Sequence, residues 1–388
     1  MTRIDPRIVA LKSDVAEWRR TIHSNPEVLY DVVQTAAFVA AKLRSFGVDE
    51  VVEGLGRTGV VGIIKGRSTA SGRVVGLRAD MDALPITEQT NLPYASKNPG
   101  KMHACGHDGH TAMLLGTARH LAETRDFDGS VAVIFQPAEE GGAGAKAMLD
   151  DGLVSRFGIQ EFYGLHNLPG LPVGHFGLRA GPLMAATVYF HIVIEARGAH
   201  AAKPHEGIDP VLIGAHMITA LQSIASRTTD PLKSVVVSVT CMHAGDAMNV
   251  IPQTAELKGT VRFLEKEIGQ QTEARFRAIV EHSARMFGAE ARLEYRYGYP
   301  VTVNHAEQSR FAADVARSFA EGVDDDLPPM MGGEDFSYML ETRPGSFLFI
   351  GNGDSAPLHN PGFDFDDRAI PYGIAFFSGV VARAMPAG

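Results

Sequence analysis

Cysteine and basic residues are both scarce in this sequence. The 388 residues include only two cysteines, Cys105 and Cys241, which lie far apart, so a disulfide framework is not expected. Lys and Arg number 36 against 45 Asp and Glu, which gives a formal net charge of -9. Nucleic acids and anionic membranes are disfavoured as partners because both require a basic surface. The charge instead favours a small-molecule substrate.

Long hydrophobic runs are also missing. No window holds the roughly 20 apolar residues that a membrane-spanning helix requires. The opening stretch, MTRIDPRIVALKSDVAEWRR, mixes charged with apolar residues and lacks the apolar core of a signal peptide. We therefore expect a cytoplasmic protein with no membrane partner.

The overall composition is typical of a globular protein, with 45% hydrophobic and 21% charged residues. Short apolar runs alternate with helical segments in the first 184 residues and again after residue 296. The runs predicted as strands are VVGIIKG, RVVGLRADMDA, SVAVIFQPAEE, EFYGLHN and SFLFIGNG. They lack polar alternation, as do strands of a parallel sheet that is covered on both faces. Residues 1–184 and 296–388 are thus predicted to form one α/β domain with a mostly parallel sheet.

The pattern changes between residues 185 and 295. Strand-like TVYFHIVIEARG precedes a helical segment, two further strands, a long amphipathic helix and the strand ARLEYRYGYP. This β-α-β-β-α-β order is that of a ferredoxin-like unit. We expect it to be a second domain inserted into the first, because a chain of this length usually exceeds one core.

The segment MHACGHDGHTAM places Cys105 and His107 two positions apart, beside a glycine. Thiolate sulfur and imidazole nitrogen are good ligands for zinc and related ions. Taken alone, such a pair is more often a packed thiol beside a solvated histidine. The pair therefore needs further ligands nearby before it indicates a metal site.

Glu139 and Glu140 follow the predicted strand SVAVIFQ after two intervening residues. Ligands of a parallel sheet gather at the carboxyl ends of its strands, so one glutamate could bind a metal while its neighbour acts on a water molecule. The alternative is a solvated helix start, where acidic residues are favoured by the helix dipole. His166 and His359 also follow apolar segments, although a single loop histidine is usually a surface residue.

Cys241, in VVVSVTCMH, is expected to be a buried core thiol.

Eleven motifs together resemble one enzyme family, the metallo-amidohydrolases that include hippurate hydrolases, N-acyl-amino-acid amidohydrolases and plant indole-acetyl-amino-acid hydrolases, within the wider aminoacylase and carboxypeptidase family. They extend from about residue 19 to 372 in the family's order. The motifs are HSNPE, GRTGVVG, RADMDALPI, MHACGHDGH, FQPAEEGGAGAKAM, GLHNLPG, GAHAAKPHEGIDP, NVIP, GTVR, GGEDFSYM and LHNPGFDFDD.

The resemblance implies a two-domain enzyme, with a catalytic metal-binding domain at 1–184 and 296–388 and a dimerisation or lid domain at 185–295. It implies two divalent metal ions per subunit, of which zinc, manganese, cobalt and nickel all suit the ligand types. A homodimer through the inserted domain, or a higher oligomer, is expected. The implied metal ligands are Cys105, His107, Glu140, His166 and His359, with Cys105 in the bridging position.

The resemblance also implies several catalytic roles. Glu139 would be the general base, and Asp80 would correspond to the aspartate that orients a ligand histidine in carboxypeptidase-like relatives. Here Arg78-Ala79-Asp80 replaces the family's His-x-Asp. A histidine supplied by the other subunit would stabilise the oxyanion, and His200 is preferred over His205. A second departure, Leu29-Tyr30-Asp31-Val32 in place of glycine, an aromatic and an acidic pair, makes the acyl preference harder to predict.

Three further residues are candidates for substrate binding. The carboxylate of an amino acid requires an arginine or amide donors, and Asn249 in NVIP and Arg262 in GTVR resemble the family's carboxylate-binding positions. Each has a simpler interpretation, a turn for Asn249 and a solvated strand residue for Arg262. Gly333 suggests backbone close to the substrate, although a tight helix start would have the same sequence.

The sequence thus predicts a metal-dependent amidohydrolase that converts an N-acyl-L-amino acid, with a hippurate-like, N-acetyl or indole-acetyl group, into a carboxylic acid and a free amino acid. One alternative is a dipeptidase or carboxypeptidase that uses the same two-metal site. Another is a ligand-binding protein that keeps the fold without turnover. A third alternative is a thiol-redox role for Cys105, which predicts that the thiol reacts with iodoacetamide equally fast with and without metal.

Overall fold

The computed structural model describes residues 4–387, which form two compact units. The larger unit contains the chain up to residue 183, residues 302–328 and the chain from residue 335. The smaller unit contains residues 184–301 and 329–334. Within residues 4–387 there is no helix long and apolar enough to cross a membrane.

The helices and strands are numbered here in chain order. The helices are α1 (Pro6–Ala10), α2 (Lys12–His23), α3 (Val33–Ser45), α4 (His107–Thr124), α5 (Gly144–Asp150), α6 (Leu153–Phe157), α7 (Pro210–Leu221), α8 (Lys266–Met286), α9 (Ala306–Arg317), α10 (Ser337–Thr342) and α11 (Ile370–Ala384). The strands are β1 (Glu50–Leu55), β2 (Gly59–Lys65), β3 (Val74–Asp80), β4 (Ser130–Gln136), β5 (Glu161–Leu168), β6 (His175–Gly177), β7 (Gly181–Met184), β8 (Ala186–Glu195), β9 (Ala199–His200), β10 (Val235–His243), β11 (Val250–Ile251), β12 (Thr254–Phe263), β13 (Glu290–Tyr297), β14 (Thr302–Asn304), β15 (Gly322–Asp324) and β16 (Gly345–Gly351).

The larger unit is built on an eight-stranded sheet with the order β1-β2-β4-β3-β5-β16-β6-β15. Its four central strands, β4, β3, β5 and β16, are parallel, as the continuous apolar runs predicted. The sheet as a whole is mixed, however, because β1–β2, β2–β4 and β16–β6 are antiparallel pairs. The expectation of a mostly parallel sheet is therefore met by the four central strands and by β6–β15, and it was wrong for these three antiparallel pairs. At β1 and β2 the reason is the short connection at residues 56–58, since a parallel pair needs a crossover of a dozen or more residues.

The central strands bring several motifs of the sequence to one edge of the sheet. Strand β3 ends at Asp80, β4 ends at Gln136 just before the two glutamates, and β5 carries His166 near its end. Helix α4 packs against β3, α2 and α11 and is buried along nearly its whole length. A helix buried on all sides has a fixed axis, so its first residue, His107, is held against the sheet.

The smaller unit has an antiparallel sheet with the order β10-β12-β8-β13. Its elements follow one another as β8-α7-β10-β12-α8-β13, with the short β9–β11 pair beside them. Alternate residues of β8, including Val188, Phe190 and Ile192, join residues of α7 and α8 in a separate core. The intervening residue Tyr189 is exposed, so one face of this sheet is covered by helices and the other is open.

Candidate metal centre

The loop that carries Cys105 and His107 is shaped by its glycines. Gly106 has φ of +87°, a conformation that residues with a Cβ rarely adopt, and a Cβ there would lie 2.0 Å from Asn167 Oδ1. A Cβ on Gly109 would lie 2.4 Å from the ring of Phe365. The two glycines therefore let the loop and the first turn of α4 pack directly against neighbouring elements. Cys105 and His107 are both buried as a result.

The five side chains proposed as ligands lie together in the larger unit. Potential ligand atoms lie within 4.8 Å of one another in each of three groups: Cys105, His107 and His166; Cys105, Glu140 and His359; and His107, Glu139 and Glu140. Cys105 Sγ is 3.4 Å from His166 Nε2, and His359 Nε2 is 3.3 Å from Glu140 Oε1. Cys105 and His107 link the groups into one cluster, in which Cys105, His107 and His166 are buried, Glu140 is partly buried and His359 is exposed.

This cluster suits divalent metal ions. Among the described residues, both ring nitrogens of His107 and the Oε1 atom of Glu140 are buried without a hydrogen-bond partner. Burying such groups unpaired is costly, and metal coordination would satisfy one nitrogen of His107 and the oxygen of Glu140. His166 Nδ1 donates to the backbone carbonyl oxygen of Asn167 at 2.7 Å, which leaves Nε2 facing Cys105. That arrangement is the one found for histidines that bind a metal through one nitrogen.

Glu139 is buried and begins a tight turn. The preceding residue, Ala138, has φ of +53°, and Glu139 itself follows the carboxyl end of β4. Asp82 Oδ1 accepts from the backbone N–H of Glu139 at 2.9 Å, and its Oδ2 accepts from the backbone N–H of Glu140 at 3.1 Å. Asp82 Oδ1 also lies 3.6 Å from His107 Nδ1. One buried carboxylate thus fixes the backbone of both glutamates beside the ligand histidine.

Asp80 lies in the same buried region but contacts another histidine most closely. His110 Nδ1 donates to Asp80 Oδ1 at 2.6 Å, whereas His107 Nε2 is 3.7 Å from Asp80 Oδ2. Its other nitrogen, His110 Nε2, lies 2.7 Å from Asn167 Oδ1 and 3.0 Å from the backbone nitrogen of Asn167. Both nitrogens of His110 are then used, so we assign it no metal. Arg78 donates to Asp80 Oδ2 at 2.8 Å and completes the network.

Neither Asp82 nor His110 was assigned a role from the sequence. A signal was nevertheless present. Asp82 is the second acid of RADMDA, just beyond a predicted strand end, and His110 lies three residues after His107, on the same face of α4.

Burial and neighbouring charge perturb the titration of these groups. Burial raises the pKa of the Cys105 thiol, and Glu140 and Glu139 raise it further. Burial lowers the pKa of His107, but Asp80, Asp82 and Glu140 outweigh this effect and raise it to about 10. Although burial acts to raise it, His107 and Arg78 hold the pKa of Asp80 well below its ordinary value. Without metal, the site therefore has a neutral thiol and a charged imidazole, and metal binding would displace both protons.

The smaller unit brings the other candidates together in two places. His200 lies in β9 opposite Val250 of β11, and the backbone N–H of Ala201 donates to the Asn249 carbonyl oxygen at 3.0 Å. His200 and Asn249 are therefore near neighbours, and both are exposed. The rival histidine, His205, is also exposed, in the following 3-10 turn.

Arg262 and Gly333 both lie beside Thr187. Arg262 is the register partner of Thr187 in the β12–β8 pair. A Cβ on Gly333 would lie 2.3 Å from Thr187 Cγ2, so only glycine fits there without a shift. The guanidinium of Arg262 is 5.4 Å from the ring centre of Tyr189 on the open face of the sheet.

The expectation for Cys241 was wrong. This cysteine is exposed. It lies on β10, the edge strand of the sheet, next to a shift of register between Val239 and Cys241. An irregularity of this kind rotates the side chains that follow it, so the apolar sequence alone did not reveal the exposure.

Comparison with known proteins identifies relatives along nearly the whole chain. The family model described as Peptidase family M20/M25/M40 matches residues 76–383. An N-acetyl-L-cysteine deacetylase of Bacillus subtilis (strain 168) is 43% identical over 353 residues, which are 91% of this chain and 83% of that protein. A hippurate hydrolase of Campylobacter jejuni is 40% identical over 375 residues, which are 96% of this chain and 97% of that protein.

A solved structure shows the same fold. The YXEP protein of Bacillus subtilis, described as a dinuclear metal binding peptidase from the M20 family, is 36% identical and superimposes with a TM-score of 0.84. The match covers 98% of this chain and 100% of that chain. With the family model spanning well over half of its length, this chain belongs to peptidase family M20/M25/M40.

Proposed function

We propose that this protein hydrolyses the amide bond of N-acyl-L-amino acids with the help of two divalent metal ions. The observation that carries the proposal is the cluster of Cys105, His107, Glu140, His166 and His359, of which only His359 is exposed, with a glutamate that is not needed as a ligand, Glu139, next to it. The names of the two relatives, an N-acetyl-L-cysteine deacetylase and a hippurate hydrolase, support this substrate class.

The five ligand side chains would hold the two ions, with Cys105 as their thiolate ligand. Bound there, the ions would supply Lewis acidity to a water molecule and to the amide carbonyl group. Zinc, manganese, cobalt and nickel all accept this mixture of sulfur, nitrogen and oxygen donors. His359 is the most exposed of the five, so it lies at the entrance of the cluster.

Glu139 is the proposed general base. Its carboxylate would take a proton from the attacking water and return that proton to the leaving nitrogen of the amino acid. The turn at Ala138 and the hydrogen bond that the backbone N–H of Glu139 donates to Asp82 fix its backbone, and its side chain is buried. Asp80 would act indirectly, as a positioning residue that holds His110 and lies near His107.

The smaller unit would provide the groups that recognise the substrate. His200, from a second subunit, would stabilise the oxyanion, because its exposed ring lies on a two-stranded sheet that fixes its backbone. Asn249 and Arg262 would bind the carboxylate of the amino acid. Gly333 would let the backbone approach the substrate closely, as it does with Thr187.

A homodimer through the smaller unit is part of this proposal. Strand β10 lies at the edge of its sheet, and an edge strand offers unpaired backbone groups to another chain. Exposed apolar side chains occur on this strand and on α7, namely Met242, Val211 and Leu212. Sedimentation measurements would test it, because substitution of Val211 and Leu212 by Lys should shift a dimer toward monomer.

The enzymatic proposal is tested with a substrate panel. Chelated protein is reloaded with zinc, manganese or cobalt and assayed on hippurate, N-acetyl amino acids and dipeptides, beside Glu139→Gln. We expect metal-restored cleavage of N-acyl amino acids, a large loss in Glu139→Gln and none in the control Glu161→Gln, whose carboxylate lies at the start of β5. Cleavage confined to dipeptides would favour the carboxypeptidase alternative. Absence of any cleavage by metal-loaded protein would favour a binding protein.

A further inference from the structure

Arg19 is a fully buried arginine that no catalytic role described above requires. It lies in α2, and its side chain has no exposed surface. One of its nitrogens, Nη1, donates to Asp108 Oδ2 at 3.3 Å and to Asp364 Oδ1 at 3.0 Å. Its Nε atom is 2.8 Å from Asp367 Oδ1. A single guanidinium thus joins three carboxylates from two distant parts of the chain.

Two of these carboxylates lie in the segments that carry proposed metal ligands. Asp108 directly follows His107, and Asp364 lies five residues after His359. The two loops also meet at their backbones, where the His359 N–H donates to the Ala104 carbonyl oxygen at 2.7 Å. His359 has φ of +62°, which is unfavourable for a residue other than glycine and persists only when its surroundings hold it.

The surroundings of Arg19 are organised for an arginine. The ring of Tyr94 lies 4.6 Å from its guanidinium, and the Tyr94 hydroxyl donates to Asp364 Oδ2 at 2.7 Å. His23 Nδ1 donates to Asp108 Oδ2 at 2.8 Å from the other side. A planar guanidinium can bind several carboxylates in fixed directions and stack on an aromatic ring, whereas the ammonium group of a lysine cannot do both in the same geometry.

We propose that Arg19 is a positioning residue that holds the Cys105–His107 loop and the His359 loop at the spacing that metal binding requires. It acts through Asp108 on one loop and through Asp364 on the other, without touching metal or substrate. The functional consequence rests on the proposed metal centre, but the effect on the two loops does not.

The test compares Arg19→Lys with Arg20→Lys. Arg20 is the next residue of α2, its Nη2 pairs with Asp367 Oδ2 at 2.7 Å, and its guanidinium lies 5.0 Å from the Tyr94 ring. It therefore shares two of the neighbours of Arg19 but is half exposed and makes no hydrogen bond to Asp108 or Asp364 among the described contacts. Both variants keep the charge. Asp364→Asn is the second variant, because its partly exposed carboxylate can be lost with less disturbance.

Two readouts are needed. In metal-free protein, hydrogen exchange should rise by about 10-fold or more in residues 102–108 and 357–366 of Arg19→Lys and stay at the wild-type rate in Arg20→Lys. In metal-loaded protein, the zinc dissociation constant should rise about 10- to 100-fold, as it does when outer partners of metal ligands are changed. The near-ultraviolet thiolate band of the cobalt-loaded protein should weaken in parallel.

The possible outcomes distinguish the positioning role of Arg19 from the proposed enzymatic function. If Arg19→Lys and Asp364→Asn exchange hydrogen in both loops at wild-type rates and bind zinc as tightly as wild type, the positioning role is wrong. If both variants only lower the unfolding temperature, with unchanged exchange in these loops, Arg19 is merely structural and the role is again wrong. Wild-type protein that binds no metal would refute the proposed function, while hydrogen exchange in the metal-free chain would still decide the role of Arg19.

Discussion

Asp82 Oδ1 accepts a hydrogen bond of 2.9 Å from the backbone N–H of Glu139, across 57 residues of sequence. The second oxygen of Asp82 accepts from the backbone N–H of the next residue, Glu140. The proposed base and a proposed metal ligand are therefore positioned by the two oxygens of one carboxylate. An asparagine amide in its place has one oxygen and one NH2 group, so one of the two backbone N–H groups would face a donor instead of an acceptor.

The first prediction concerns Asp82→Asn. Because one backbone N–H would lose its acceptor in a buried site, we expect a stability loss of about 1–3 kcal/mol. We also expect a fall in kcat and in metal affinity of about 10- to 100-fold, measured by steady-state kinetics and by competition with a chelator. The control is Asp151→Asn, since Asp151 Oδ2 accepts from the backbone N–H of Gly56 at 2.8 Å, outside the cluster. Equal kinetic effects in the two variants would contradict a special role for Asp82.

The second prediction concerns Gly106→Ala. The new Cβ would meet Asn167 Oδ1 at 2.0 Å in addition to adopting an unfavourable φ, so we expect the ligand loop to shift and metal affinity to fall by about 10-fold or more. Gly170→Ala is the matched control, because Gly170 has nearly the same φ, +86°, with open space around it. The control should lose only about 1–2 kcal/mol of stability. Metal titration by calorimetry measures the difference, and the idea fails if both variants bind metal equally well.

The third prediction concerns the pH dependence of stability. Burial lowers the pKa of His23, but Asp108 and Glu88 outweigh it and raise that pKa to about 9. A group whose pKa is raised on folding contributes stability that is complete below its unfolded value, near 6.5, and is lost as the pH rises toward 9. The free energy of unfolding of the metal-free protein, measured with urea, should therefore fall by at most about 3 kcal/mol over this interval because of His23.

The matched variant for this measurement is His23→Gln. It should be less stable than wild type at pH 6, and the difference between the two proteins should shrink as the pH approaches 9. A difference that stays constant from pH 6 to pH 9.5 would show that folding does not raise the pKa of His23. That result would also weaken the picture of His23 as a partner of Asp108.

The sequence predicted the features that depend on local pattern. The spacing of Cys105 and His107, and the position of Glu139 and Glu140 after a buried strand, required only short-range rules, and the structure brings these residues together. The antiparallel edge of the sheet was missed because the short loop after β1 was overlooked. The exposure of Cys241 depends on an edge strand and a register shift, neither of which an apolar run reveals.

The parts that were not predicted depend on pairs of residues far apart in the chain. Arg19 and Asp364 are 345 residues apart, and Asp82 and Glu139 are 57 apart, so no spacing rule connects them. A buried charge becomes recognisable only when its partners are known, because an arginine or aspartate in a sequence is usually exposed. The ligand types could therefore be predicted, whereas the residues that position them required the fold.

The most direct test of the central claim is the metal content of the protein, measured together with its activity. Wild-type protein, chelated and then dialysed against zinc or manganese, should bind two ions per chain by elemental analysis and should regain hydrolysis of hippurate or an N-acetyl amino acid in proportion. Cys105→Ser and His359→Ala should bind fewer ions and lose that activity. A wild-type chain that binds no metal, or that cleaves these substrates equally well after complete chelation, would contradict the two-metal amidohydrolase.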